Sequence, residues 1–411
     1  MNESTPLKIA VIGAGPVGLA LALHAAHALA DDEVTLFDAR PADKDVSGDP
    51  RTLALSLGSV QLLQRLDAWR PQNAQPILEV HVSQQSPSLL AAFASRFGEP
   101  ELTIRAIDEA VPMLGAVMSY GAIVAPLQEV WLAAEAREPK RLRSRFGTAV
   151  TALKGVDGPS GVEVDAGIAE RFDLAVVAEG GVFSPTAKTD LVAEGRREPL
   201  RHDYKQTAWV GTATFAPASS TRTSGVAYER FTRHGPAALL PRRDGTAALV
   251  WCVDSADDPV RGLDAAQRVA VLNTIFHPGT PRIASISPLK EFALGLSAER
   301  TLAEGRTVRI GNAAQTLHPV AGQGLNLGMR DAFELVRALS ANRDVDAILR
   351  KLEWQRAPDR WAMIAATDFL ARSFTWALPG AGTARGLGIA ALQALGPVKS
   401  AIARQMMFGS R

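Results

Sequence analysis

The sequence predicts an α/β protein: a parallel sheet flanked by helices, an antiparallel sheet inserted into the chain, and helices at the C-terminal end. Three observations predict it. A short apolar strand near the start runs into a glycine-rich turn and a buried helix. A second strand–turn–helix unit lies far downstream, around Gly311 to Asn326. Between them, from about 190 to 295, aromatic and β-branched residues alternate as in half-buried strands, for example over Tyr204 to Val210.

The first unit opens with Leu7 to Ile12, an apolar strand. Gly13-Ala14-Gly15-Pro16-Val17-Gly18 follows at once, and Leu19 to Leu29 reads as a buried helix. Glu33 to Phe37 is the next strand, with Asp38 at its end. The three glycines have distinct tasks: a tight turn, room for a pyrophosphate, and close helix–strand packing. Asp38 lies about 20 residues after Gly18, the distance expected of a carboxylate that binds a ribose 2′-OH. A lone Gly-x-Gly-x-x-Gly is weak evidence, but here strand, loop, helix, strand and acid fall in the order of a dinucleotide site.

Further along, a helix is expected over Ser56 to Leu66, a strand over Ile77 to Val82 and a helix over Ala122 to Ala136. Ser144 to Leu153, Gly161 to Ala166 and Phe172 to Ala178 look like strands returning to the nucleotide domain. Thr307 to Ile310 is a strand leading into the second glycine-rich turn, and Leu325 to Leu339 is the helix leaving it. Past about 340 the pattern is helical, broken at Pro379-Gly380 and Gly396-Pro397. The nucleotide domain is therefore expected in three pieces, 1–75, 119–189 and 296–345. The second sheet is expected from 76–118 and 190–295, and a helical region from 346–411. A substrate pocket belongs where the two sheets meet.

Composition excludes several classes. A net charge of +1 on 411 residues argues against nucleic acid bound by bulk charge. Cys252 is the only cysteine, so neither an intrachain disulfide nor a thiolate metal cluster can form, and no metal is expected. The first residues lack a basic and an apolar segment of signal-peptide type, and no apolar run reaches about 18 residues. A cytoplasmic protein is the expectation. Cys252 sits in an apolar strand and reads as buried and inert. Trp209, Phe215, Tyr228, Phe231 and Trp251 read mostly as core, with about two of them expected in the substrate cavity.

The stretch from Gly311 to Asn326 has two glycines at its turn and few bulky side chains. It lets backbone N–H groups approach a ligand and aims a helix N-terminus at it. Placed downstream of the first fingerprint, it is the second half of a flavin site. With Asp49 to Ser56 and Val177 to Ser184, these blocks resemble the single-component FAD-dependent aromatic hydroxylases. Tyr228 to Pro241, and the spelling Asn-Ala-Ala-Gln-Thr-Leu-His-Pro from Asn312 to Pro319, narrow the resemblance. They point to the ubiquinone-biosynthesis hydroxylases, of the 2-polyprenyl-6-methoxyphenol hydroxylase type.

The resemblance implies a discontinuous Rossmann-like FAD domain with an inserted substrate sheet. It implies cofactor contacts from Gly13, Gly15, Gly18, Asp38 and Arg51, the last on the pyrophosphate, and from Gln128 on the Ala122–Ala136 helix. Glu179-Gly180 stands where the family usually has Asp-Gly, and Gly311-Asn312 where the superfamily usually has Gly-Asp. Asn312 can still hydrogen-bond a ribityl hydroxyl. Gly322, Gly324, Leu325 and Asn326 would face the flavin with their N–H groups. His318, Pro319, Gly322 and Gln323 are expected at the catalytic end, with Pro319 stiffening the loop. His318 faces the substrate or flavin edge, or packs against a neighbouring strand.

The implied chemistry is hydroxylation of an electron-rich phenol by a flavin C4a-hydroperoxide formed with O2. With only one Gly-x-Gly-x-x-Gly, the donor is NAD(P)H bound transiently on the same body, or a ferredoxin-type protein. Apolar residues at helical spacing in the tail, with Arg372, Arg385, Lys399 and Arg404 between them, suit a membrane surface or a ubiquinone-biosynthesis complex. The protein would then lie peripheral to the inner membrane. A hydroxylase of a small soluble aromatic such as salicylate, a flavin oxidase, and a non-catalytic FAD-holding subunit stay open.

Overall fold

The computed structural model describes residues 6–85, 99–156, 161–178, 198–217, 224–319, 322–375 and 381–409. The chain opens with β1 (Lys8–Ile12), α1 (Pro16–Ala28) and β2 (Glu33–Asp38). β1 is buried from Ile9 onward and α1 is apolar nearly all round, because both lie inside a layered core. β3 (Thr52–Ser56) leads into α2 (Leu57–Arg65), whose N-cap Ser56 accepts the Ser59 N–H. Then come β4 (Gln75–Ile77), β5 (Glu79–Gln84), β6 (Glu101–Arg105) and β7 (Gly115–Ser119).

Next are α3 (Tyr120–Arg137), capped by Ser119, and β8 (Leu142–Phe146). β9 (Ala152–Gly155), β10 (Val162–Asp165), β11 (Ala169–Phe172) and β12 (Leu174–Val177) follow. The long β13 (Leu200–Phe215) precedes β14 (Val226–Phe231), β15 (Pro236–Pro241) and β16 (Ala247–Asp254). α4 (Ala265–Ile275) carries a capping box between Asp264 and Gln267, and β17 (Ile283–Ile286) and β18 (Lys290–Ala298) come after it. The chain ends with β19 (Ala303–Glu304), β20 (Thr307–Arg309), β21 (Gln315–Thr316), α5 (Gly324–Ala341), α6 (Val345–Thr375), α7 (Ala381–Ala394) and α8 (Gly396–Phe408).

Two large sheets organise these elements. One runs in the order β19-β20-β12-β1-β2-β8, parallel except for β19. The chain leaves β1 toward β2 on one side and returns through β12 on the other. A strand order that reverses in this way opens a crevice at the carboxyl ends of β1 and its neighbours, where ligands bind. The other sheet runs β21-β18-β13-β16-β15-β14-β5-β6, with β17 beside β13. The helix α5 packs closely on α1: a Cβ added at Gly328 would stand 2.6 Å from the Gly311 Cα and 2.9 Å from a Val17 methyl.

The sequence expectations need four corrections. Ile77 to Val82 is two strands, because the chain passes between sheets at Leu78; β4 pairs with β7, β5 with β14 and β6. The Gly225 carbonyl accepts the N–H groups of both Leu78 and Glu79 there. Ser144 to Leu153 is split by a turn at Gly147, whose φ is +73°. Of the returning strands only β8 and β12 enter the parallel sheet, while β9, β10 and β11 form a small sheet of their own. The inserted sheet is not wholly antiparallel, since β5 and β14 pair in parallel. The expected break at Gly396-Pro397 is the start of α8, and that at Pro379-Gly380 lies outside the described residues.

Candidate active site

The first glycine turn is built as the sequence reads. Gly13 takes φ +103°, and its N–H donates to the Phe37 carbonyl at 2.8 Å, tying the turn to β2. A Cβ at Gly18 would fall 1.9 Å from the Gly13 carbonyl oxygen, so the helix can approach the loop only with glycine there. Gly15 is different: a Cβ would meet nothing nearer than the Tyr120 hydroxyl at 3.6 Å. The space beside Gly15 is thus open to a ligand. α1 begins with Pro16, its N-cap Gly15 makes no side-chain cap, and its first turn has no acid. The N–H groups of that first turn suit an anion.

Asp38, Arg40 and Gln128 close around this turn. The Asp38 carboxylate accepts the Ala14 N–H at 2.5 Å and the Arg40 N–H at 2.8 Å. The Arg40 guanidinium donates to the Ala14 carbonyl at 3.3 Å and to Gln128 Oε1 at 3.0 Å. Gln128 therefore reaches the turn through Arg40, a residue the sequence reading did not single out. Arg51 lies near the same place: its guanidinium sits 4.0 Å over the Tyr120 ring, and the Tyr120 hydroxyl borders Gly15. It is half-exposed and held in a fork by Asp49, the shortest contact being 2.7 Å. Nothing in the sequence singled out Tyr120 as its platform; burial raises that phenol's pKa, with Arg51 pulling it the other way.

The second glycine-rich turn faces a cavity. Gly322 takes φ +57° and donates its N–H to the Pro319 carbonyl at 3.0 Å. Gln323 is the N-cap of α5, with no side-chain cap and no acid in the first turn. Asn312 Oδ1 lies 3.9 Å from where a Gly324 Cβ would stand, so Asn312 flanks the start of α5. Leu325 packs partly buried against the main core. Glu179 and Gly180 lie outside the described residues.

The Asn326 side chain is taken up within the protein. Its Oδ1 accepts the Ser56 N–H and the Ser59 hydroxyl, each at 2.8 Å. Its Nδ2 donates to the carbonyls of Ala54, at 3.0 Å, and Gly322, at 3.2 Å. A backbone N–H can only donate and a carbonyl can only accept, so the amide orientation is forced. All four hydrogen-bonding positions of the side chain serve the protein. Asn326 clamps the turn to β3, and only its backbone N–H is left for a ligand.

Of the two alternatives open for His318, the structure shows packing against a neighbouring strand. His318 is buried, its imidazole approaches Gln206 Oε1 at 2.9 Å, and it packs edge-on to Tyr204. Gln206 donates its own NH2 to the Ala371 carbonyl, so Oε1 accepts and His318 Nε2 carries the proton. Burial lowers its pKa to about 4. It does not line the cavity; Pro319, Gly322 and Gln323 do.

The cavity holds about 1040 Å³ of empty space, part of it continuous with solvent. Ala54 to Ser56 and the second turn form one wall, the sheet strands β14, β15 and β16 contribute Glu229, Ala238, Val250 and Cys252, and α8 adds Ala403, Met406 and Met407. None of the five aromatic residues of the inserted sheet lines it; Trp209, Phe215, Tyr228 and Trp251 share one hydrophobic core and Phe231 another. Cys252 is buried, its thiol pushed up to about 12 by burial and then by the Glu229 charge.

The wall supplied by α8 is latched to α5. Arg330 donates to the Met406 carbonyl at 2.8 Å, and Gln405 donates to Asp359 at 2.7 Å. Asp359 also accepts from Arg356 at 2.9 Å, and Arg356 donates to Asp331 at 2.8 Å. These charges are buried and are stable there because each is paired. A separate polar cluster, His81, Glu101 and His277, lies elsewhere: strand alternation puts His81 on the sheet face opposite Val80, which lines the cavity. There the Gly279 N–H donates to His277 Nδ1, which leaves the proton on the Nε2 that faces Glu101.

Comparison with known proteins fits this geometry. A family profile described as an FAD binding domain matches residues 189–367. The 3-demethoxyubiquinol 3-hydroxylase of Escherichia coli is 27% identical over 417 residues, covering 96% of each chain. The ubiquinone hydroxylase UbiL of Rhodospirillum rubrum is 32% identical over 255 residues, 58% of each chain. Among solved structures, Klebsiella pneumoniae HpxO complexed with FAD and uric acid superposes with a TM-score of 0.70 at 15% identity, over 98% of this chain and 97% of that one. Residues 189–367 thus match an FAD binding domain, and the chain is similar along nearly its whole length to a hydroxylase that acts on a ubiquinol precursor.

Proposed function

We propose that this chain hydroxylates the aromatic ring of a hydrophobic, polyprenylated phenol in ubiquinone biosynthesis, using FAD, O2 and a two-electron donor. The observation that carries this reading is the chemistry of the cavity wall. It is mostly aliphatic, with Ile77, Val80, Ile104, Leu114, Met406 and Met407 prominent, and the described lining residues include no Lys, Arg or His. A benzoate or salicylate would bring a carboxylate there with no cation to receive it, which is costly. A prenyl chain instead gains about 0.8 kcal/mol per buried methylene.

The residues present fit FAD. Two helix N-termini, of α1 and α5, lack side-chain caps and first-turn acids, and the space beside Gly15 is open. In our reading Gly13, Gly15 and Gly18 with the start of α1 hold the pyrophosphate, assisted by Arg51, with Arg40 and Gln128 bracing the turn. Asp38 takes the ribose hydroxyls and Asn312 the ribityl chain. The N–H groups of Gly324, Leu325 and Asn326 would hold the flavin ring, where such donors favour negative charge. When bound and reduced, the flavin activates O2 and supplies the oxygen atom. The aliphatic cavity keeps water away while this happens. NAD(P)H bound transiently, or a ferredoxin-type protein, is the donor. The division into three flavin pieces and two substrate-sheet pieces belongs to the same reading.

The tail supports a lipid surface as the place of work. Among the described residues no single helix is long and apolar enough to cross a membrane; α7 and α8 form a pair bent by 97°. On its outer side this pair exposes Leu387, Leu395, Val398 and Ile402, while Ala403 and Met407 on its inner side line the cavity. Ile107 is 83% exposed on an adjoining loop, which Ser400 binds through Glu109 at 2.6 Å. Lys399 and Arg404 flank the patch. A surface that is apolar outside and forms the cavity wall inside suits a substrate drawn from a bilayer.

The test is turnover of prenylated against unprenylated methoxyphenols under 18O2, in detergent, with NADPH or a reduced ferredoxin. The expected result is 18O in the product and preference for the prenylated phenol. Preference for a benzoate, or equal use of both phenols, refutes the lipid-substrate reading.

A further inference from the structure

We propose that Glu229 is the general base of this site, taking the proton of the substrate's phenolic hydroxyl as the ring attacks oxygen. The inference rests on the hydroxylase reading above and names a residue for it.

Glu229 lies on β14, in register with Val82 of β5 on one side and Ala238 of β15 on the other, and Ala238 is in register with Val250 of β16. Its neighbours across the sheet are thus small and apolar. Side chains alternate along a strand, so Glu229 shares the cavity face with Ala227, two residues before it. The same cavity is bounded by Pro319, Gly322 and Gln323 of the second glycine-rich turn. A phenol ring seated between that turn and the sheet shares the cavity with the Glu229 carboxylate.

Other described candidates are ruled out in turn. Glu229 and Cys252 are the titratable side chains among the described lining residues. The Cys252 thiol, held up at about 12, stays protonated and takes no proton near neutral pH. His318 is turned away and already donates to Gln206. His81 lies on the other face of the sheet.

The chemistry balances. A neutral phenol donates a hydrogen bond to the Glu229 carboxylate. As a ring electron pair forms the bond from carbon to the transferred oxygen, the O–O bond breaks with its pair leaving on the other oxygen, and the phenolic hydroxyl becomes strongly acidic. Its proton passes to Glu229, and the ring is held as a dienone. Loss of the ring hydrogen as a proton then restores aromaticity, and the dienone oxygen regains a proton from Glu229. Overall the ring loses two electrons, the donor supplies two, and O2 accepts four, one oxygen atom entering the ring and the other leaving as water with two protons.

The experiment uses the FAD-loaded full chain, with Glu229→Gln for loss of the base and Glu229→Asp as the conservative partner. Turnover of a prenylated methoxyphenol should fall in Glu229→Gln by about 100-fold or more in kcat, the usual scale for a positioned base. KM should change by no more than about threefold, as expected when the lost interaction forms mainly in the transition state. Glu229→Asp should recover part of the rate. A second readout needs no turnover: an alkyl-substituted 4-nitrophenol bound to the oxidised enzyme is titrated by its phenolate absorbance. A carboxylate beside the hydroxyl disfavours a second negative charge, so the wild type should hold the probe neutral to higher pH than solution does. Glu229→Gln should lose that shift. Identical probe titrations in wild type and Glu229→Gln, or an unchanged kcat, overturn the assignment. Failure of the hydroxylase reading shows differently, as a wild type that labels no phenol, while the probe titration still decides Glu229. Thermal melts of each variant separate loss of the base from loss of the fold.

Discussion

Replacing Asn326 by Asp removes two protons and keeps the shape. The wild-type amide accepts from Ser56 and Ser59 and donates to the carbonyls of Ala54 and Gly322. An Asp carboxylate keeps the two accepted bonds but turns the donated ones into contacts between oxygens. Two part-buried carbonyls then lose their donor, at up to about 1–3 kcal/mol each, so the variant should lose at most roughly 2–6 kcal/mol at neutral pH. The loss should depend on pH. The carbonyls favour the protonated carboxyl, so its folded pKa is raised above the unfolded value. Its contribution is then fully present below the unfolded pKa and is lost as pH rises through the folded one. Urea unfolding of wild type, Asn326→Asp and Asn326→Leu from about pH 3 to 8, a span that brackets ordinary carboxyl titration, reads this directly. The difference from wild type should shrink toward acid for Asp and stay flat for Leu. FAD binding should weaken in both, because the Gly322 turn loses its clamp. An Asp variant as stable as wild type at neutral pH, or one whose deficit ignores pH, refutes the clamp.

Three further expectations follow from the same geometry. Gly15→Val should fold, since a Cβ there meets nothing nearer than 3.6 Å, yet bind no FAD and purify colourless, whereas Gly18→Val should fail to fold, its Cβ standing 1.9 Å from the Gly13 carbonyl; circular dichroism and flavin absorbance separate the two. Arg51→Ala should weaken FAD roughly 10- to 150-fold by titration, the worth of a charge-assisted phosphate contact, and Asp49→Asn should tighten it by freeing the guanidinium. His318, lowered to about 4 from 6.5 by burial, should contribute stability that is complete above the unfolded value and is lost as pH falls from about 6.5 through 4. His318→Gln should flatten that acid limb of the stability profile.

The nucleotide turn was legible because it is local. Turn, strand end and acid all act within about forty residues, and each glycine's task follows from backbone sterics. The second turn was legible as a strand–turn–helix unit for the same reason. Side-chain fates within it were not, because their partners are remote in sequence. For His318 the sequence leaves site and packing open until Gln206 comes to it from β13, and the Asn326 amide has no visible task until Ser56 and Ser59 meet it. Ile77 to Val82 alternates as one strand would, and periodicity alone cannot reveal that consecutive residues join different sheets. Glu229 sits in a recognisable block, but its exposure to the cavity depends on the strand register. The latch on α8 was not legible either, since Asp331, Arg356 and Asp359 lie on two helices that only packing brings together.

The strand order of the parallel sheet also dictates when this protein can acquire its cofactor. β1 is made long before its partner β12, and β20, which lies beyond β12, is made later still. The two glycine-rich turns stand far apart in the chain, so a nascent chain short of about Asn326 carries half a flavin site. Capture of FAD is therefore a late event, following the many long-range pairings of the second sheet, which are slow to form. Until then the aliphatic walls of the future cavity have no companion. A cell short of flavin would hold this chain in a state that invites aggregation, and the supply of cofactor would set how much of it survives.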